Sequence, residues 1–190
     1  VPLGIGGMAA IMGLDRGKVE EGLNACQEYG VVEVANYNSP GQIVISGEIE
    51  AVKTAINKLN ELGAKKAVLL PVSAPFHCSL LRPAGDKLRE DLEGIRINNP
   101  KISLVTNVEA KVLESKEEVI PTLVKQVSSS VLWQDSIEKI INLDVDTFIE
   151  ISPGKTLTSF VKRIAKNMDR DVKTYNVEDL KTLKILESNR

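Results

Sequence analysis

Histidine is nearly absent from these 190 residues: there is one, His77, and with it only two cysteines, Cys26 and Cys78. Two isolated cysteines and one histidine give neither a metal-ligand spacing nor a disulfide framework, so no metal site is expected. Reduced thiols of this kind are compatible with a cytoplasmic location. No apolar run approaches the roughly 18 residues of a membrane-spanning helix, so no membrane partner is expected. No long basic run occurs, and 24 basic residues face 26 acidic ones for a net charge of -2. That balance argues against a nucleic-acid surface. The chain opens Val1-Pro2-Leu3-Gly4, without an initiator methionine or a signal peptide, and such a start reads as a cut inside a longer protein. Internal repeats and low-complexity segments are lacking too. What is present is a hydrophobic fraction of 43%, enough to bury a core in one medium or two small domains.

The first 70 residues have one rhythm. Residues 7–12 (GMAAIM) read as a buried strand. Asp15 is placed to cap a helix that carries Val19, Leu23 and Cys26 on one face and ends at Gly30. Residues 31–35 are β-branched and read as a strand, Asn38-Ser39-Pro40-Gly41 as a turn, and residues 43–45 as the returning strand. Ile49, Val52, Ile56, Leu59 and Leu62 mark a second helix, stopped by Gly63, and residues 67–70 a fourth strand. The order βαββαβ is that of a ferredoxin-like unit.

Pro71-Val72-Ser73-Ala74-Pro75 breaks regular structure, and a longer α/β alternation follows over 71–190. Helices are expected over 80–92, around Ile120–Val127, around Ile137–Ile141 and around Leu157–Ile164, with strands over 102–105 and 147–151. Strands between covering helices suggest a parallel sheet. They are few for a complete doubly wound sheet, which again suggests sequence upstream of Val1.

His77 lies on the proline-broken loop ahead of a helix, a place where catalytic groups concentrate. An imidazole suits general acid–base work near neutrality, although a lone histidine is more often a surface or satisfied residue. The nucleophile elbow G-x-S-x-G does not occur. Cys78 adjoins His77, but neighbouring side chains point apart, so Cys78 reads as a small buried filler. Ser152-Pro153-Gly154-Lys155-Thr156 ends like a phosphate loop, yet Ile149 stands where that loop needs glycine, so a strand-to-helix turn is expected instead. Gly4-x-Gly6-Gly7 is too short for a dinucleotide fingerprint. By simple alternation Asn36 and Asn38 share one face of a strand, for a ligand carbonyl or for turn chemistry. Lys155, Lys162, Arg163 and Lys166 cluster on a helix, as a solvated face or a surface for an acidic partner.

Five segments, in order, resemble the malonyl-CoA:acyl carrier protein transacylases of fatty-acid synthesis. They are Gly7-Met8-Ala9-Ala10-Ile11, Asn36-Tyr37-Asn38-Ser39-Pro40-Gly41-Gln42, Pro71-Val72-Ser73-Ala74-Pro75-Phe76-His77-Cys78, Lys125-Gln126-Val127 and Ser152-Pro153-Gly154-Lys155. Each is weak alone; the ordered set is specific and covers nearly the whole chain. The resemblance implies a ferredoxin-like subdomain over 1–70 and, over 71–190, the C-terminal part of an α/β-hydrolase-like acyltransferase core. It implies transfer of a malonyl group from malonyl-CoA to the pantetheine thiol of acyl carrier protein through a serine ester, without a cofactor. His77 then resembles the catalytic histidine and Gln126 the glutamine whose main-chain carbonyl orients it. Asn38 matches an asparagine lining the acyl site. Phe76 takes the position where, in related polyketide acyltransferases, phenylalanine accompanies malonyl rather than methylmalonyl units. The basic cluster from Lys155 to Lys166 becomes a candidate dock for the acidic carrier.

Two features of that family lie outside these residues: the G-H-S-x-G serine and the arginine that binds the malonyl carboxylate. The chain by itself is therefore expected to be inactive. The competing readings are a non-catalytic ferredoxin-like binding or carrier-docking module, and a hydrolase with an unrecognised nucleophile.

Overall fold

The computed structural model describes residues 5–188. Strands β1 (Gly6–Met12), β2 (Val32–Ser39), β3 (Gln42–Glu48) and β4 (Lys66–Leu69) form an antiparallel sheet in the order β2-β3-β1-β4. Helices α1 (Arg16–Asn24) and α2 (Ile49–Glu61) follow β1 and β3. Asp15 caps α1, its side chain accepting from Lys18 N–H at 2.9 Å. Alternation along the strands decides the layering. Ala9 and Ile11 of β1, Val32 and Val34 of β2, and Ile43 and Ile45 of β3 are buried against Val19 and Leu23 of α1 and Val52, Ala55 and Leu59 of α2. Met8, Ala35 and Val44 form a separate cluster on the opposite face, away from α1 and α2, where Leu70 joins them.

Simple alternation fails in β2. Its register against β3 shifts between Val34 and Asn36 and again between Tyr37 and Ser39. Two bulges, passing over Ala35 and Asn38, therefore replace the regular pleat that would place Asn36 and Asn38 on one face. Beyond them the two residues Pro40 and Gly41 close the β2–β3 hairpin.

The second rhythm holds α3 (Arg82–Leu92), α4 (Val119–Val127), α5 (Trp133–Ile141), β5 (Thr147–Ile151), α6 (Thr156–Asn167), β6 (Lys173–Val177) and α7 (Leu180–Ser188). Strands β5 and β6 pair in parallel, with α6 between them in sequence. Ile137 and Ile141 of α5 close a second core against Val161, Ile164 and Ala165 of α6. The strand expected over 102–105 does not form: Val105 makes one isolated bridge to Val112, and Ile102 is 82% exposed. A strand exists only where a neighbour takes its backbone hydrogen bonds, and none of the described residues offers that edge a ladder. On β5, likewise, Ile151 is 81% exposed.

The two parts are joined along the outer edge of β2. Val131 N–H donates to Ala35 O at 2.8 Å, Tyr37 N–H donates to Val131 O at 2.9 Å, and Ser130 Oγ donates to Val34 O. Arg16 grips Asp135 with both terminal guanidinium nitrogens, Nη1 and Nη2, at 2.9 and 2.6 Å, and stacks over the Tyr37 ring at 4.3 Å. Burial and the Glu20 carboxylate push the Tyr37 phenol up to about 12, so it stays a neutral donor to Glu20 at 2.9 Å.

Candidate functional site

The segment after β4 runs back across the face of the sheet opposite α1 and α2. Leu70 seals Met8, Ala35 and Val44. Pro75, fully buried, lies on β1 so closely that a Cβ on Gly6 would sit 2.3 Å from its ring. Only a strand residue without a side chain permits that approach. Cys78 is buried and its thiol donates to Pro75 O at 3.2 Å, closing the turn that contains Phe76 and His77. Burial pushes the Cys78 thiol above its ordinary range, which makes it a poor nucleophile and agrees with its reading as filler.

His77 takes φ 60, the left-handed region that costs an ordinary residue of order 1–3 kcal/mol. Its half-buried ring reaches the C-terminal turn of α4, with Nδ1 3.3 Å from Gln126 O. The last carbonyls of a helix have no partner within it, so they are free to accept such a bond. The α3–α4 packing places that carbonyl: Gly85 of α3 comes so close that a Cβ there would lie 3.0 Å from Val124 O. A proton on Nδ1, donated to Gln126, leaves the Nε2 lone pair outward as a base.

Phe76, adjacent in the turn, is 47% exposed. Asn38 is half-buried at the second bulge of β2. Lys155, Lys162 and Lys166 are exposed at the start of α6 and along it. Arg163 is exposed too, and its Nη1 donates to Gln42 Oε1 at 3.1 Å and to Ser39 Oγ at 3.4 Å, tying α6 to the hairpin beside Asn38. Gln126 also borders an apolar groove of about 560 Å³ lined by Ile97, Ile102, Leu104 and Leu123.

Ser152-Pro153-Gly154-Lys155 forms the turn from β5 into α6. Glu150, buried and not singled out by its sequence, shapes it by accepting from Ser152 Oγ, Leu157 N–H and Thr158 N–H at 3.0, 3.1 and 2.8 Å. Burial alone would raise its pKa; the bonds from Thr158, Leu157 and Ser152 outweigh burial and hold it below the usual glutamate range. Asn176 of β6 donates to the carbonyls of Ser152 and Gly154 at 3.0 and 2.6 Å. The anion-binding end of α6 is thus filled by the protein's own carboxylate. Among the described residues no group of three or more His, Cys, Asp or Glu is placed to hold a metal ion, and no helix is long and apolar enough to cross a membrane.

Comparison with known families matches residues 3–186 to the acyl transferase domain. The chain belongs to the acyl transferase domain family. This acyl transferase domain is 41% identical over 186 residues to the malonyl CoA-acyl carrier protein transacylase of Bacillus subtilis, covering 97% of the chain and 57% of that protein. Its mixed α/β fold matches that of malonyl CoA-acyl carrier protein transacylase from Clostridium perfringens at a TM-score of 0.94 and 47% identity, over 100% of this chain and 58% of that one. A malonyl-transacylase solved in complex with its type II polyketide synthase acyl-carrier protein gives a TM-score of 0.95 at 38% identity, over 100% of this chain and 60% of that structure's. The acyl transferase domain thus spans less than two thirds of each relative's length.

Proposed function

We propose that this chain supplies the histidine side of a malonyl-CoA:acyl carrier protein transacylase. The observation that carries the reading is the approach of His77 Nδ1 to Gln126 O at 3.3 Å, in a chain of the acyl transferase family. A serine from a part of the enzyme outside these 190 residues attacks the malonyl thioester. As its Oγ–C bond forms, its proton passes to His77 Nε2; the C–S bond breaks, and the same proton goes to the departing CoA thiolate. The pantetheine thiol of an acyl carrier protein then runs these steps in reverse. The Gln126 carbonyl fixes the tautomer as an aspartate would, but without a full negative charge. Exposed Lys155, Lys162 and Lys166 offer positive charge to an acidic carrier.

The strand order β2-β3-β1-β4, with both helices on one face, supports a ferredoxin-like subdomain over 1–70. Residues 71–190 then form the C-terminal part of an α/β-hydrolase-like core, whose remaining strands would cover Ile102, Leu104 and Ile151. Intact-mass spectrometry tests the division of labour. Incubated with malonyl-CoA, this chain alone keeps its mass, and the chain joined to its serine-bearing part gains a malonyl ester. A stable adduct on the isolated chain sinks the assignment, because the nucleophile would then lie within it.

Phe76 is assigned the choice of extender. A ring beside the acyl site leaves no room for an α-methyl branch, and a pocket discriminates one methyl by about 1–3 kcal/mol. Phe76→Ser raises methylmalonyl transfer relative to malonyl by roughly 10-fold. An unchanged ratio of the two kcat/KM values would remove Phe76 from specificity.

A further inference from the structure

Two anchors of the His77 loop have been described, Pro75 on Gly6 and the Gln126 carbonyl. A third lies two residues beyond the histidine. The carboxylate of Glu33, on β2, accepts from Ser79 N–H at 2.8 Å through Oε2 and from Ser79 Oγ at 2.5 Å through Oε1. Glu33 sits near the start of β2, half-buried between buried Val32 and Val34. There a carboxylate needs donors to offset its desolvation, and both come from this loop. Only the ψ of His77 and the φ and ψ of Cys78 separate the Ser79 N–H from the histidine Cα, because the peptide bonds between them are rigid. Fixing Ser79 therefore constrains His77, whose left-handed backbone would otherwise relax.

We propose that Glu33 is a positioning residue for His77: by tying Ser79 to β2 it holds the left-handed turn and keeps Nδ1 on the Gln126 carbonyl. The catalytic part of this inference rests on the reading of His77 as the base; the positioning part does not. A carboxylate suits the task because two donors on one residue need two acceptor oxygens side by side. Glutamine keeps one acceptor and alanine none.

His77 is the only histidine of the chain, so a spectrum of the chain labelled with 15N in its imidazole reports this ring alone. With Glu33 intact, the form protonated on Nδ1 dominates the neutral state. Glu33→Ala moves the ring toward a mixture of tautomers, Glu33→Gln moves it less, and Ser79→Ala, which removes the hydroxyl but keeps the N–H, moves it the same way. In the enzyme completed by its serine-bearing part, Glu33→Ala lowers kcat roughly 10- to 100-fold while the KM for malonyl-CoA holds. Identical imidazole signals in wild type and Glu33→Ala overturn the proposal. Should Glu33→Ala fail to fold, Ser79→Ala decides by the same criterion. A shifted ring with unchanged kcat upholds Glu33 as the positioning residue and instead overturns His77 as the base.

Discussion

Replacing His77 by alanine in the complete enzyme lowers malonyl transfer at least about 100-fold, the usual contribution of a positioned general base. Loss of the histidine of a catalytic triad reaches roughly 10⁶-fold, so the fall lies between those bounds. The fold survives the change, because the half-buried ring makes one long hydrogen bond and the loop keeps Pro75, Cys78 and Ser79 on their anchors. His77→Asn is the sharper companion. Asparagine tolerates the left-handed backbone better than alanine does, so the turn is kept while the imidazole is lost. Both variants therefore fall together if the ring is the base. If only alanine falls, the backbone conformation was what mattered, and near-normal turnover in both folded variants excludes His77 from the chemistry.

Gly47→Ala destabilises the chain by about 3 kcal/mol or more, toward the upper end for overpacking. On β3, Gly47 is paired with Gly7 of β1 and Val32 of β2. A Cβ there would lie 2.0 Å from Val31 O and 2.7 Å from Val32 Cα. Both are main-chain atoms, so no rotamer change relieves the contact. Relief requires β2 to move off β3, breaking the bond from Glu48 N–H to Val31 O, now 2.8 Å. Against this, alanine contributes only roughly 0.5–1 kcal/mol by lowering the entropy of the unfolded chain. The clash wins, and urea unfolding of the variant shows a lower midpoint. A midpoint equal to wild type would show that the strands have room this structure denies them.

The βαββαβ order was legible because each element carries its own signal: the unbroken apolar run of β1, the Asp15 cap on α1, the turn signal that precedes β3, and the apolar face of α2. The segment 102–105 carries an equally good strand signal and forms none. Its apolar residues show what it is suited to bury against, and pairing still requires a partner. Strand β6, Lys173–Val177, and helix α7 were missed because polar residues dilute their patterns. Within β2 the bulges were invisible, since Val-Glu-Val-Ala-Asn-Tyr-Asn alternates acceptably as a flat strand. Glu33, within that strand, carried no signal of its bonds to Ser79. His77 stood out as the one histidine, on a proline-broken loop ahead of a helix, whereas Gln126 was singled out by resemblance alone; no pattern of residue types predicts that a helix-end carbonyl will meet a loop 49 residues away. Arg163 joined the basic face by its spacing on α6, and its bonds to Gln42 and Ser39 depend on how the two parts pack.

The backbone twist at His77 has a consequence for what the shortest active-site peptide could be. Apart from the Cys78 thiol on Pro75 O, what sustains it is distant in sequence: Gly6 seats Pro75 from β1, Glu33 holds Ser79 from 46 residues upstream, and Gln126 takes the ring from 49 residues downstream. A synthetic peptide spelling Pro75-Phe76-His77-Cys78-Ser79 would hold every one of these side chains and none of these anchors. Its imidazole would sample both tautomers on a freely turning backbone. The smallest stretch that carries all three anchors runs from Gly6 to Gln126, from the first strand of the sheet to the end of α4.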